Sequence, residues 1–160
     1  MRIALTGHLL ALSLFFLISN SAHADGASLE PDTVYQPEDV VKIVIEALRS
    51  NNQSQNDDGI ATVFRFASPQ NRAATGPLSR FTNMIKQGFS DMLNQRDSRY
   101  DPIDIRGKQA LQAVWLMMPD GKEIGYAFHL GKQEGGKYAG MWMTESVVPL
   151  GFGPNSGTGI

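Results

Sequence analysis

Among side chains able to do chemistry, imidazole is the scarcest. The 160 residues hold three histidines, His8, His23 and His129. The first two sit in an N-terminal stretch that reads as an export signal. His129 is then the one imidazole on which a Ser-His-Asp arrangement could be built. Ser90 and Ser146 lack the Gly-x-Ser-x-Gly setting of a strained nucleophile turn. There is no cysteine, which excludes thiol chemistry, Cys–zinc sites and a lipoprotein anchor. Asp57-Asp58, or Asp101 with Asp104, could be weighed for calcium. No alternating Asp/Asn loop surrounds them, and helix capping or turn duty explains them better. No glycine-rich phosphate cradle occurs. The sequence therefore assigns no catalytic residue, no metal ligand and no cofactor.

What remains is an apolar set. Phe81, Phe89, Trp115, Tyr126, Phe128 and Trp142 are large aromatics on stretches that read as helix or strand, with His129 beside them. Met117, Met141 and Met143 add soft side chains. Such residues build a core, or line a pocket for a small apolar ligand.

The elements that must position them follow from periodicity. Pro37 starts a helix, with Glu38 and Asp39 at the positive end of its dipole. Val40, Val44, Ala47 and Leu48 then recur at helical spacing. The β-branched run through Ile45 would also suit a strand, but the Pro–acid start and Arg49 near the end favour helix. Asp57 or Asp58 can cap a second helix, with Ile60, Val63, Phe64 and Ala67 on one face, ended by Ser68-Pro69. Residues 71–76 read as a connector with room for one short turn. Pro77 opens a third helix whose stripe runs Leu78, Phe81, Met84, Ile85, Gly88, Phe89, Met92 and Leu93. Close packing on a sheet is the reason expected for Gly88.

From Tyr100 the pattern turns to strands. Tyr100–Arg106 is a first strand, with Pro102 implying an edge or a strand start. Residues 110–148 form a three-stranded meander rich in Val, Ile, Trp, Tyr, Phe and Met. Pro119-Asp120-Gly121 suits a three-residue hairpin loop with Gly121 at positive φ. That loop sets Leu116 by Ile124, Val114 by Tyr126 and Gln112 by Phe128 on one face. Trp115 by Gly125, Ala113 by Ala127 and Leu111 by His129 occupy the other, whereas a two-residue turn would shift the pairing and change which side chains share a face. Both faces are largely apolar. One is expected to meet the helices, the other a partner or part of the same chain.

At the N-terminus, Arg2 precedes the apolar run Leu9–Ile18, and Ala22-His23-Ala24 follows as a small-residue cleavage site: the pattern of a secretory signal peptide. Ten apolar residues span about 15 Å as a helix, half of the ~30 Å hydrocarbon core. Residues 1–24 are thus expected to be removed and the protein to be periplasmic or secreted. Residues 25–36 then form a flexible leader, 37–150 a single domain, and 151–160 a glycine-rich flexible tail. Loss of Arg2 moves the net charge from the −2 of the full chain to −3. No basic run appears, so neither nucleic acid nor, after cleavage, a membrane surface is an expected partner. Without disulfides the domain must hold by packing alone.

Helices followed by an antiparallel meander resemble the cone-shaped α+β fold of the nuclear-transport-factor-2-like superfamily. Specific residues sharpen this: Phe66-Ala67-Ser68-Pro69, Phe81 with Met84 and Gly88-Phe89, and Gly135-Gly136-Lys137-Tyr138 running into Met141-Trp142. In order and spacing they resemble domain-of-unknown-function family 4864, over about Pro37 to Val148. The last strand carries Met141-Trp142-Met143-Thr144 where an aromatic-then-Cys ending would be the family pattern. The resemblance implies three helices on a curved antiparallel sheet of about four strands. It transfers no catalytic residue. Some members of that superfamily run proton transfer in the cone, and Tyr100, Tyr126, Asp101 and Asp104 are the groups that could take such roles here. The expectation is a non-enzymatic module that binds a small apolar ligand or pairs as a homodimer through the sheet. The alternative is a small cavity enzyme, a lyase, isomerase or hydrolase, with His129 or a buried Asp as base.

Overall fold

The computed structural model describes residues 28–51 and 56–153. Residues 1–24, expected as an export signal and holding His8 and His23, and the stretch from residue 154 lie outside them. The described residues form an α+β domain of four α-helices against a curved antiparallel sheet of five strands. None of these helices is long and apolar enough to cross a membrane.

Helix α1, Pro37–Ser50, starts as its sequence dictates. Pro37 takes the first turn, and the Gln36 N–H donates to Asp39 Oδ2 at 2.9 Å. The β-branched run does form helix. Val40, Val41, Val44, Ile45 and Leu48 are all buried, so tertiary burial outweighs the small propensity deficit of valine. Helix α2, Asp58–Phe66, follows. Asp57, the residue at its N-cap, makes no side-chain capping hydrogen bond. Asn51, just past α1, accepts from the Ile60 N–H at 3.0 Å and donates to Asp57 at 3.1 Å. Lys86 pairs with the same carboxylate at 2.7 Å, and these two contacts hold the Asp57 pKa below its ordinary value. α1 and α2 pack backbone to backbone at Gly59, where a Cβ would stand 2.0 Å from the Ala47 carbonyl oxygen.

Two helical boundaries differ from expectation. Residues 69–75, expected mainly as a connector, form helix α3, Pro69–Thr75. Ser68-Pro69 both stops α2 and starts α3: Ser68 Oγ accepts from the Asn71 N–H at 3.1 Å, and proline sits in the first turn. The helix buries no residue, so it shows no apolar stripe to read. The long helix expected to reach Leu93 breaks instead. Helix α4 is Leu78–Gly88, and a 3₁₀ turn over Ser90–Leu93 carries Met92 and Leu93 on into the core. Gly88 does not pack closely; a Cβ there would meet nothing within 4 Å. It marks the end of the helix, in keeping with its low propensity.

The sheet has one more strand than expected. β1, Asp97–Tyr100, and β2, Asp104–Arg106, both pair with β3, Gln109–Met117. The break between them spans Pro102, which has no N–H to give the ladder. β4, Glu123–Lys132, pairs with β3 in the register that the three-residue turn dictates. Leu116 faces Ile124, Val114 faces Tyr126 and Leu111 faces His129. Gly121 has φ +85° and its N–H donates to the Met118 carbonyl at 3.0 Å. β5, Trp142–Phe152, closes the sheet on the far edge of β4.

The inner face of the sheet carries Gln112, Val114 and Leu116 from β3, and Tyr126, Phe128 and Leu130 from β4. All are buried, and the apolar ones join Val40, Ile45, Ile60 and Phe66 from the helices in one core. Residues before Pro37 also touch the domain. The Arg65 guanidinium donates to the Leu29 carbonyl at 3.0 Å and pairs with Glu30 at 3.1 Å, while the Tyr35 ring lies 6.0 Å from that of Phe66.

Candidate functional site

β5 does not pair regularly with β4. Leu130 faces Thr144, but His129 faces Ser146, so Glu145 is an extra residue in the ladder. Strand side chains alternate, and one inserted residue reverses their sense. Thr144 and Val147, three apart, therefore both point to the inner face, opposite Leu130 and Phe128. Ser146 and Val148 turn outward. The bulge lies beside the open space between sheet and helices.

That space is a cavity of about 260 Å³. Phe81, Met84 and Ile85 line it from α4, Phe89 from just past the end of that helix, Met92 from the 3₁₀ turn, and Val63 from α2. Phe128, Thr144 and Val147 form its floor, and α3 contributes Asn71 and Thr75 at one side. The walls are predominantly apolar. The polar groups gather where α3 meets β5. There the Thr144 carbonyl accepts from the Ser68 N–H at 2.9 Å and from Asn71 Nδ2 at 3.1 Å. The Glu145 carboxylate accepts from Ser68 Oγ at 2.6 Å and from Gln133 Nε2 at 2.8 Å. The Thr144 hydroxyl is different. Thr144 is 3% exposed, and its Oγ1 has no hydrogen-bond partner among the described residues.

The seven residues singled out in the sequence fall into separate places. Phe81, Phe89 and Phe128 line the inner cavity. Tyr126 is buried beside it, its ring 6.1 Å from Phe89. Burial, with the charge of Asp91 adding, pushes its phenol up to about 12. Trp142 is buried in the core without lining the cavity. Trp115 and His129 stand on the outer face. Trp115 Nε1 donates to Asp101 Oδ2 at 2.8 Å, Arg99 lies 5.5 Å over its ring, and Gly125 beneath leaves room for the indole. His129 is exposed between Leu111 and Ser146. Met84, Met92, Val63, Asn71 and Thr144 were not singled out. The helical stripe holding Phe81 could have given Met84 and Met92. Nothing in the sequence signals the bulge that turns Thr144 and Val147 to the same side.

His129 instead lines a second, open concavity of about 790 Å³ on the outer face, with Asp104, Arg106, Lys108, Lys132 and Glu134. It is the larger of the two, but its charges largely answer one another. Arg106 pairs with Asp104 at 2.8 Å, and Lys108 pairs with Glu134, lowering the pKa of that exposed carboxylate. Such solvated pairs hold little energy. Tyr100 is half-buried and raised in pKa chiefly by burial, its hydroxyl sharing a 3.1 Å hydrogen bond with Ser98. Asp101 is spent on Trp115 and on Arg99 at 2.7 Å. Among the described residues no aspartate is buried, and no cluster of three His, Asp or Glu side chains is placed to hold a metal ion.

No curated protein and no solved structure matches the chain. A family model does. The domain of unknown function DUF4864 matches residues 34–149, which takes in every helix of the described domain, all but the last turn of β5, and the whole inner cavity. The bulged β5, the helices over it and the cavity between them therefore lie within the shared domain, and the chain belongs to the DUF4864 family.

Proposed function

We propose that the protein is a non-enzymatic binding module that takes a small, mainly apolar ligand into the inner cavity. The observation that carries this reading is the cavity itself. Protein interiors pack to crystal-like density and leave few voids larger than a water molecule. Here about 260 Å³ stays open among Phe81, Phe89, Met92 and Phe128. An apolar cavity of about 150 Å³ already binds benzene, so this one admits a substituted aromatic or a short branched chain. It falls below the ~300 Å³ at which pockets for drug-sized ligands begin.

Proton-transfer chemistry in the cavity finds less support. Among the described side chains that line it, Glu145 is the one acid or base, and both its oxygens already accept hydrogen bonds. His129 stands on the opposite face of the sheet. Export to the periplasm or the exterior belongs to the same proposal, and rests on the Leu9–Ile18 run and the Ala22-His23-Ala24 site.

Thermal unfolding tests the reading. A ligand at 100 times its Kd adds about 2.7 kcal/mol to the folded state. 3-Phenylpropan-1-ol is expected to raise Tm by several degrees in the wild-type protein and to leave Val147→Phe, whose ring fills the cavity, unmoved. A wild-type Tm indifferent to this probe, or an equal rise in both proteins, contradicts the proposal.

A further inference from the structure

We infer that the cavity's ligand is an uncharged amphiphile: an apolar body with one hydrogen-bonding head, a hydroxyl or its equivalent, seated on Thr144 Oγ1. The inference deepens the binding reading above and rests on it.

Thr144 lines the cavity, is 3% exposed, and has a hydroxyl with no partner among the described residues. A buried hydroxyl without a hydrogen bond carries a desolvation cost that valine, of the same shape, would not. In a helix that hydroxyl could return to a carbonyl one turn back. In β5 it has no such carbonyl, and its own carbonyl is already taken by Ser68 and Asn71. The bulge at Glu145 sets Thr144 opposite Leu130 on the inner face. A ligand head beside Thr144 Oγ1 would satisfy the orphaned group while Phe81, Phe89, Met92 and Phe128 enclose the rest.

The charge of the head follows from the walls. Among the described residues no Lys, Arg or His lines the cavity, and the one acidic residue that does is Glu145. A ligand carboxylate would lose its water without gaining a counter-charge and would face Glu145. An ammonium would give up strong hydration for a mainly apolar lining. Its three donors would find Thr144 Oγ1 and only the lone pairs of Glu145 not already accepting from Ser68 and Gln133. A neutral head needs only the one partner that Thr144 offers.

The test measures the affinities of the full chain for 3-phenylpropan-1-ol, propylbenzene, 3-phenylpropanoate and 3-phenylpropylammonium, in wild type, Thr144→Val and Thr144→Ser. The ratio of alcohol to hydrocarbon affinity cancels the hydration of the shared body. It is expected to fall roughly tenfold in Thr144→Val and to hold in Thr144→Ser, which keeps the hydroxyl. The two charged probes are expected to bind at least roughly tenfold more weakly than the alcohol. An unchanged ratio in Thr144→Val, an equal fall in Thr144→Ser, or a charged probe matching the alcohol overturns the inference while leaving the cavity a binding site. Failure of every probe to bind wild type overturns the binding reading along with it.

Discussion

At the scale of single residues, Thr144 concentrates the argument. Its hydroxyl is buried and unpaired, so the empty protein bears a cost that a ligand would relieve. Thr144→Val is therefore expected to stabilise the empty protein by about 1–2 kcal/mol, read as a shift in the urea midpoint at unchanged m-value. A loss of stability would mean that the hydroxyl has a partner. Tyr126 gives a pH prediction. An unperturbed phenol loses its proton near ~10, whereas burial and Asp91 hold this one up to about 12. The folded state therefore keeps a proton that the unfolded chain releases. The stability this contributes is whole below pH ~10 and is lost as pH rises through 12. Comparing urea unfolding of wild type and Tyr126→Phe across pH 9–12 isolates it: the difference between them should shrink or reverse in favour of Tyr126→Phe as pH climbs. A constant difference would place the phenol in water.

At the scale of elements, two glycines separate close packing from helix ending. Gly59 lets α1 and α2 touch, with the Ala47 carbonyl oxygen 2.0 Å from where a Cβ would stand. Gly59→Ala should cost about 1–3 kcal/mol, or more if the helices cannot part. Gly88 has open space around it, so Gly88→Ala should be neutral or gain up to about 1 kcal/mol. Thermal melts of the two variants check both signs. The same pair shows what the sequence can convey. Helical spacing revealed the stripe holding Gly88, but not that the helix stops there and a 3₁₀ turn takes over the burial. The β3–β4 register is the one that the three-residue turn over Pro119-Asp120-Gly121 gives, not the shifted one of a two-residue turn, and the alternating side chains then follow residue by residue. Helix α3 was not legible, since it buries nothing and leaves no pattern. Pro102 was correctly read as an edge signal, but not as the break that divides one strand into two.

At the scale of the molecule, the α+β architecture was legible because period-3.6 and period-2 stretches are cleanly separated along the chain. The candidate site was legible only in part. Phe81, Phe89 and Phe128 declare themselves by size and position. Trp115 and His129 carry the same kind of signal yet lie on the outer face, because the phase of a strand fixes which residues share a face and not which face is covered. Thr144 needed the bulge, and a bulge is a tertiary fact. Helices over a curved sheet, with a bulge turning Thr144 to the inner face, leave a cavity of about 260 Å³, proposed above as the container for a small ligand.

Methionine-methyl NMR tests that claim most directly. Met84 and Met92 line the cavity, whereas Met117, Met118 and Met141 do not. On titration with 3-phenylpropan-1-ol, the Met84 and Met92 methyl signals are predicted to shift together and saturate, while the other three stay in place. Saturable shifts confined to Met117, Met118 or Met141, or no saturable shift at all, would contradict the account.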